Sequence, residues 1–252
     1  MGAFSTVLFE KSGALAYVTL NRPEALNAYS VRMRDDLYEV LSAITCDDEI
    51  RAVILKGAGD KAFCAGADLK EFMTAPSAVK ARQIRAARDL WRLFLAVRQP
   101  LIAALHGFVL GSGLEMALLS DLRIASPDAV FGLPEVGLGI IPAAGGTQTL
   151  PRIIGLARAL DMLLTNRRIN ASEAYDSGLV NQVVPKAELL ATAEQIAAKI
   201  ASFDPAAVAA AKEAVRRGCD LPLPQGLALE GTLASRLRAS RNRERVENHR
   251  NE

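Results

Sequence analysis

The chain has 252 residues and a mass of 26.9 kDa, with 50% apolar and 23% charged residues. That composition excludes a disordered or collagen-like chain and suits one large domain or two small ones. Thirty basic against 28 acidic residues leave a net charge of +2, too little for a protein whose main work is neutralising phosphates. Three cysteines (Cys46, Cys64, Cys219) and two histidines (His106, His249) argue against a secreted disulfide scaffold, point to a reducing compartment, and leave too few ligands for a histidine-based metal centre.

The N-terminus, MGAFSTVLFE, lacks the basic start and apolar run of a signal peptide. Gly2 followed by Thr6 fits the myristoylation spacing, but chance explains it, because Thr6–Glu10 already reads as a strand. Thr6–Glu10 and Ala14–Leu20, joined by Lys11-Ser12-Gly13, predict a hairpin. Ser30 is placed to cap a helix whose apolar positions Met33, Leu37, Val40, Leu41 and Ile44 follow the helical period. Ala52–Leu55 reads as a buried strand ended by Gly57-Ala58-Gly59-Asp60. A long amphipathic helix is predicted from about Ser77 to Val97, with Trp91, Phe94 and Leu95 towards the core and Pro100 beyond its end.

Leu101–Leu105 is the next predicted strand, followed by a glycine-rich turn over Gly107–Gly113 and a helix at Leu114–Leu119. The whole apolar stretch reaches membrane-spanning length and holds a Gly107-x-x-x-Gly111 spacing. His106, Ser112, Glu115 and three glycines interrupt it, so a strand, a tight loop and a buried helix explain it better, and a soluble, cytoplasmic protein without a membrane partner is expected. Leu122–Ala125 and Val130–Phe131 read as strands, helices dominate from Gly145, and one more strand is predicted at Leu179–Val184. Strand–helix repeats followed by a helical third, with no Pro- or Ser-rich linker, predict one α/β domain with a helical appendage.

Three constellations could carry chemistry. Gly57-Ala-Gly-Asp-Lys-Ala62 follows a strand like a dinucleotide loop, but no helix starts at Phe63-Cys64-Ala65-Gly66, and no acidic residue occurs from Thr74 to Ala87 to hold a ribose. No GxxxxGK[ST] phosphate loop exists in the sequence. Gly111-Ser112-Gly113-Leu114-Glu115 opens a helix, where free N–H groups suit an oxyanion. The same Ser-x-x-Glu spacing also fits a capping box, as does Asn170-x-x-Glu173. Pro134-Glu135, ahead of the glycine-rich run Gly137–Thr147, sets an acid in apolar surroundings that would raise its pKa towards proton-donor range. The other readings of Glu135 are a cap for the helix near Gly145 and an exposed position in a loop.

Taken in order, these segments resemble the enoyl-CoA hydratase/isomerase (crotonase) family. The resemblance runs from about Thr6 to Phe203 and rests on Asn21–Asn27 (NRPEALN), Lys61–Lys70 (KAFCAGADLK), His106–Glu115 (HGFVLGSGLE), Phe131–Pro142 (FGLPEVGLGIIP), Gly145–Gln148 and Ala174–Asn181. It implies an α/β spiral of strand–strand–helix turns over residues 1–200, a helical C-terminal region over 201–252 within the same functional unit, and a homotrimer or dimer of trimers. It also implies an acyl-CoA substrate, with coenzyme A as part of that substrate and no separate cofactor or metal. By motif position, the backbone N–H groups of Ala67 and Ser112 would form the oxyanion hole. The CoA portion would be met around Ala25 and Leu26 and along Ala67, Asp68, Leu69 and Lys70, with Arg22 or Lys70 near the phosphates.

The resemblance is strongest to hydratases with two glutamates, at the positions of Glu115 and Glu135. Glu115 would hold water, and Glu135 would be the principal proton donor and acceptor in adding water across a 2-enoyl thioester. Another acyl-CoA reaction, isomerisation or thioester hydrolysis, is the alternative on the same fold, and an RNA-binding or non-catalytic scaffold protein is the alternative of another class. Cys64 reads as a packing residue and His106 as a structural histidine. Three departures stand out: Ser112 replaces the central glycine of a Gly-Gly-Gly turn, where a positive φ would be costly. Ala143 stands where many hydratases have glycine, and Arg241–Glu252 lacks the family's usual closing pattern. Arg236, Arg238, Arg241, Arg243, Arg245 and Arg250 form a basic tail, but Glu244, Glu247 and Glu252 dilute it and no aromatics interleave, so nucleic acid is not expected as a partner.

Overall fold

The computed structural model describes residues 4–72 and 88–248. Strands β1 (Val7–Ser12) and β2 (Leu15–Leu20) form the antiparallel hairpin the alternation predicts. Helix α1 (Val31–Cys46) starts where Ser30 caps it, the hydroxyl oxygen accepting the Met33 N–H at 3.1 Å. Its buried face is Met33, Leu37, Val40, Leu41 and Ile44.

The chain then winds through turns that each lay one strand in each of two sheets before crossing over. The first turn is β3 (Ala52–Gly57) and β4 (Ala62–Cys64), followed by the short α2 (Leu69–Phe72) and α3 (Leu90–Ala96). The second is β5 (Leu101–Leu105), β6 (Phe108–Leu110) and α4 (Ser112–Leu119). The third is β7 (Leu122–Ala125), β8 (Val130–Gly132), α5 (Gly146–Ile154) and α6 (Leu156–Leu164). β9 (Ile169–Asn170), α7 (Ala171–Asp176), β10 (Gln182–Val183), α8 (Leu189–Ala201), α9 (Pro205–Gly218) and α10 (Leu223–Asn248) complete the described chain. One sheet runs β1-β2-β3-β5-β7-β10 and the other β4-β6-β8-β9, with the β2-β3-β5-β7-β10 and β4-β6-β8 pairings parallel. This is the spiral of strand–strand–helix repeats, with helices closing the C-terminal end.

Burial explains why β3 and β5 read as unbroken apolar runs instead of alternating ones. Val53, Leu55, Ala103 and Leu105 face the main core, while Ile54, Ile102 and Ala104 face a second core built with Leu189, Ala193 and Ala197 of α8. Helices cover both faces. Asn170 and Glu173 form a true capping box at the start of α7.

Some expectations need correction. Gly107–Gly113 is more than a turn, because Phe108–Leu110 pairs with β4 and β8. The strand expected over Leu179–Val184 shrinks to Gln182–Val183, since Leu179 and Val180 are core residues held by N–H bonds to the Ala174 carbonyl. The long helix before Pro100 is seen as Leu90–Ala96, capped by Asp89, and its predicted first part lies outside the described residues. Phe94 is buried there, Trp91 is half-buried, and Leu95 faces out instead of inward. Among the described residues no helix is long and apolar enough to cross a membrane.

Candidate active site

A cavity of about 300 Å³ opens between the two loops that leave β4 and β6 and the segment after β8. Ala67, Asp68, Ser112, Glu115 and Glu135 all line it, so five of the sequence-derived site residues converge on one space. Tyr29, Val31, Trp91, Ile140 and Ile141 give it apolar walls, and the Tyr29 and Trp91 rings pack with centroids 5.5 Å apart. Of the remaining candidates, Leu69 and Lys70 follow directly in α2 and are exposed. Ala25 and Leu26 lie behind the Ala65–Ala67 segment, where the Ala65 N–H donates to the Leu26 carbonyl at 3.0 Å.

Among the described residues, two main-chain amides at this cavity are left without protein partners. Tyr29 and Ala67 form a parallel bridge in which the Tyr29 N–H donates to Gly66 O and the Asp68 N–H to Tyr29 O, both at 2.8 Å. In that pairing the amide of Ala67 faces away from Tyr29, and among the described residues it makes no hydrogen bond. Ser112 is the first residue of α4, where the N–H has no intrahelical acceptor. Each amide follows a glycine with positive φ, Gly66 at 108° and Gly111 at 51°. A Cβ on Gly111 would lie 3.3 Å from the Gly66 Cα, so the two turns touch through backbone alone and bring their amides to one place.

The helix start resolves the capping-box question. Gly111, not Ser112, is the N-cap, and no side chain caps it. Positive φ falls on Gly111 as well, so the serine costs no strain. Glu115 does not fold back to its own helix. Its Oε1 accepts the Ala144 N–H at 2.8 Å and the Gly146 N–H at 2.9 Å, at the mouth of α5. Two amide donors on one oxygen and a helix N-terminus together stabilise a carboxylate there, and the residue is only 2% exposed.

Glu135 does not cap α5 either, because that helix starts at Gly145 without a side-chain cap. Its Oε2 is buried and, among the described residues, has no hydrogen-bond partner. Burial, with the nearby Glu115 carboxylate adding to it and a backbone N–H working the other way, pushes its pKa up from 4.5 to about 7. A carboxyl poised there can give or take a proton near neutral pH.

The supporting residues are less visible in sequence. Asn27 is fully buried in left-handed backbone (φ 55°), and its amide donates to Ala58 O at 2.9 Å and Ala62 O at 2.8 Å while accepting the Arg22 N–H at 2.9 Å. It ties the NRPEALN loop to the segment that carries Ala67. Arg22 pairs with Asp68 at 2.9 Å and donates to Ala28 O at 2.7 Å, so its charge is engaged with the loop instead of free for a phosphate. That partner holds the Asp68 carboxyl below the usual carboxylate range. Burial pushes the Cys64 thiol up to about 12, which leaves it an inert packing residue against Gly113. His106 Nε2 meets the Gly59 carbonyl at 2.9 Å, and burial lowers its pKa, as suits a structural histidine. Among the described residues no cluster of three or more His, Cys, Asp or Glu could hold a metal ion.

An α/β spiral brings to one cavity two carboxylates and two amides that are unpaired among the described residues, the groups that acid–base chemistry beside a carbonyl requires. The comparisons with known proteins agree on its kind: residues 10–249 match the family model described as enoyl-CoA hydratase/isomerase, and the chain belongs to that family. It is 44% identical over 90% of its length to the short-chain-enoyl-CoA hydratase of Clostridium acetobutylicum, covering 87% of that protein. It is 42% identical over 90% of its length to the crotonyl-CoA hydratase of Syntrophomonas wolfei, covering 88% of that protein. The crystal structure of an enoyl-CoA hydratase from Bacillus anthracis superposes with a TM-score of 0.87 at 41% identity, covering 91% of this chain and 90% of that one.

Proposed function

We propose that this enzyme hydrates 2-enoyl-CoA thioesters reversibly to 3-hydroxyacyl-CoA. The observation that carries the reading is the pairing of two amides, unpartnered among the described residues, with a carboxyl whose pKa is about 7, all on one cavity. The thioester oxygen accepts hydrogen bonds from the Ala67 and Ser112 N–H groups, which withdraw electrons from the double bond and hold the negative charge that builds up during attack. Glu115, fixed by the Ala144 and Gly146 amides, holds a water over Cβ. The water oxygen bonds to Cβ, Cα takes a proton from Glu135, and the proton the water loses returns to the carboxylate pair. The reverse path removes the Cα proton with Glu135 and expels water.

Coenzyme A enters as part of the substrate, and no separate cofactor is needed. Its chain would run past the backbone of Ala25, Leu26 and residues 67–70, with Lys70 as a positive charge for the phosphates. A homotrimer, or a dimer of trimers, would cover the exposed stripe of Leu156, Leu160 and Leu164, which recurs every four residues along α6. The free cysteines Cys46 and Cys219 are exposed, which suits a reducing, cytoplasmic setting.

Incubating the protein with crotonyl-CoA and following the loss of enoyl absorbance tests the reading. Turnover to 3-hydroxybutyryl-CoA is expected. Double-bond migration or free thiol release without hydration would assign the site to another acyl-CoA reaction.

A further inference from the structure

Ser112 puts a hydroxyl into a turn otherwise made of glycine, between Gly111 and Gly113. Ser112 lines the cavity together with Ala67, Glu115 and Glu135. At the first position of α4 the Cα–Cβ bond leans towards the helix N-terminus, the end from which its own N–H emerges.

Several hydroxyls in this chain's helices, or just past their ends, bond to the carbonyl one turn back, while others, such as Ser42 and Thr192, make no such bond among the described residues. Thr45 donates to Leu41 O at 2.8 Å, Ser120 to Met116 O at 3.1 Å and Thr149 to Gly145 O at 3.0 Å. Thr165 and Thr232 do the same with Asp161 and Ala228. Four residues before Ser112 stands Phe108, in strand β6 and not in a helical turn. Among the described residues the Ser112 hydroxyl makes no hydrogen bond, so its proton is left for whatever fills the cavity. Glu115 Oε1 already accepts two amides.

We propose that the Ser112 hydroxyl is a third hydrogen-bond donor to the thioester oxygen, beside the amides of Ala67 and of Ser112 itself. The inference rests on the hydratase reading above. It makes Ser112 a catalytic residue through its side chain as well as its backbone. A carbonyl oxygen accepts along two lone-pair directions with a broad spread, and an oxyanion accepts a third donor readily.

The test compares Ser112→Ala and Ser112→Gly with the full-length wild type, using crotonyl-CoA as substrate. Two non-reacting ligands complete it: butyryl-CoA, and S-butyl-CoA, in which a methylene replaces the carbonyl. Both variants are expected to lose about ten-fold in kcat with an unchanged melting temperature. Butyryl-CoA should bind several-fold more weakly to both variants, while S-butyl-CoA, lacking the oxygen, should bind as to the wild type. Equal losses for both ligands, no loss at all, or a loss in Ser112→Gly alone would overturn the proposal. A shifted pH midpoint of kcat in Ser112→Ala would also overturn it, by assigning the hydroxyl to Glu135. Wild-type protein that hydrates no enoyl-CoA would defeat the hydratase reading instead, and the ligand pair would still report on Ser112.

Discussion

Two acids in this molecule meet opposite treatment. Asp121, at the end of α4, accepts the Leu101 N–H at 2.8 Å and pairs with Lys212 at 2.7 Å and Arg216 at 2.9 Å, both from α9. The same two cations also donate to Gln99 O and Leu119 O, so this corner docks the C-terminal helices onto the spiral with its carboxylate paired. Glu135 is also sheltered, yet one of its oxygens has no partner among the described residues and the charge of another acid, Glu115, acts on it. The first arrangement spends burial on holding the fold together. The second raises a pKa and holds a proton ready, which stability alone would never select. Removing each acid should therefore have opposite consequences.

The largest effect belongs to Glu135→Gln, which keeps the shape and removes the transferable proton. The hydration rate should fall by about 10²–10⁴-fold in steady-state kinetics with crotonyl-CoA. Glu115→Gln should follow, losing about 10²–10³-fold, because an amide oxygen still accepts the Ala144 and Gly146 N–H groups but binds and activates water less well. Unfolding accompanying either loss would contradict the assignment.

Asp121→Asn should reverse the pattern. It strands Lys212, whose side chain is only 10% exposed, and should lower stability by about 2 kcal/mol, or roughly 4–8 °C in melting temperature. Its kcat should stay within about two-fold of wild type, since nothing at Asp121 reaches the cavity.

The smallest effect sharpens the contrast most. The folded pKa of Glu135 is about 7 against an ordinary 4.5, so the folded state binds the extra proton and loses stability as pH rises through that window. Glutamine stays neutral throughout. Glu135→Gln should therefore melt a few degrees higher than wild type at pH 8 and at the same temperature at pH 4. Equal melting at pH 8 would mean that the carboxyl ionises without cost.

Much of the spiral was legible because its long elements carry strong local signals. Strand β5 matches its predicted span of Leu101–Leu105, and Ser30 caps α1 as read. The second sheet was legible only at β8, which was read as Val130–Phe131. Its strands β4 and β6 are three residues long, too short for alternation to register, and β6 sits in a glycine-rich run that reads as a turn. At the site, Glu115 and Glu135 stood out as acids in apolar, glycine-rich surroundings. What fixes Glu115 did not, because the Ala144 and Gly146 amides arrive from another turn of the spiral. Spacing also could not tell an N-cap from the first helical residue: Asn170-x-x-Glu173 is a capping box and Ser112-x-x-Glu115 is not. Asn27 was quoted only as part of a motif, since its role appears once Ala58 and Ala62 fold over it.

The hydration rate of crotonyl-CoA measured from pH 5.5 to 8.5, for wild type and Glu135→Gln side by side, bears most directly on the proton-donor claim. Wild-type kcat/KM should hold level below about pH 7 and then fall towards ten-fold per pH unit, because the donor must be protonated. Glu135→Gln should be slow and flat across the range. A wild-type profile without a break near 7, or a variant that keeps the break, would contradict the account.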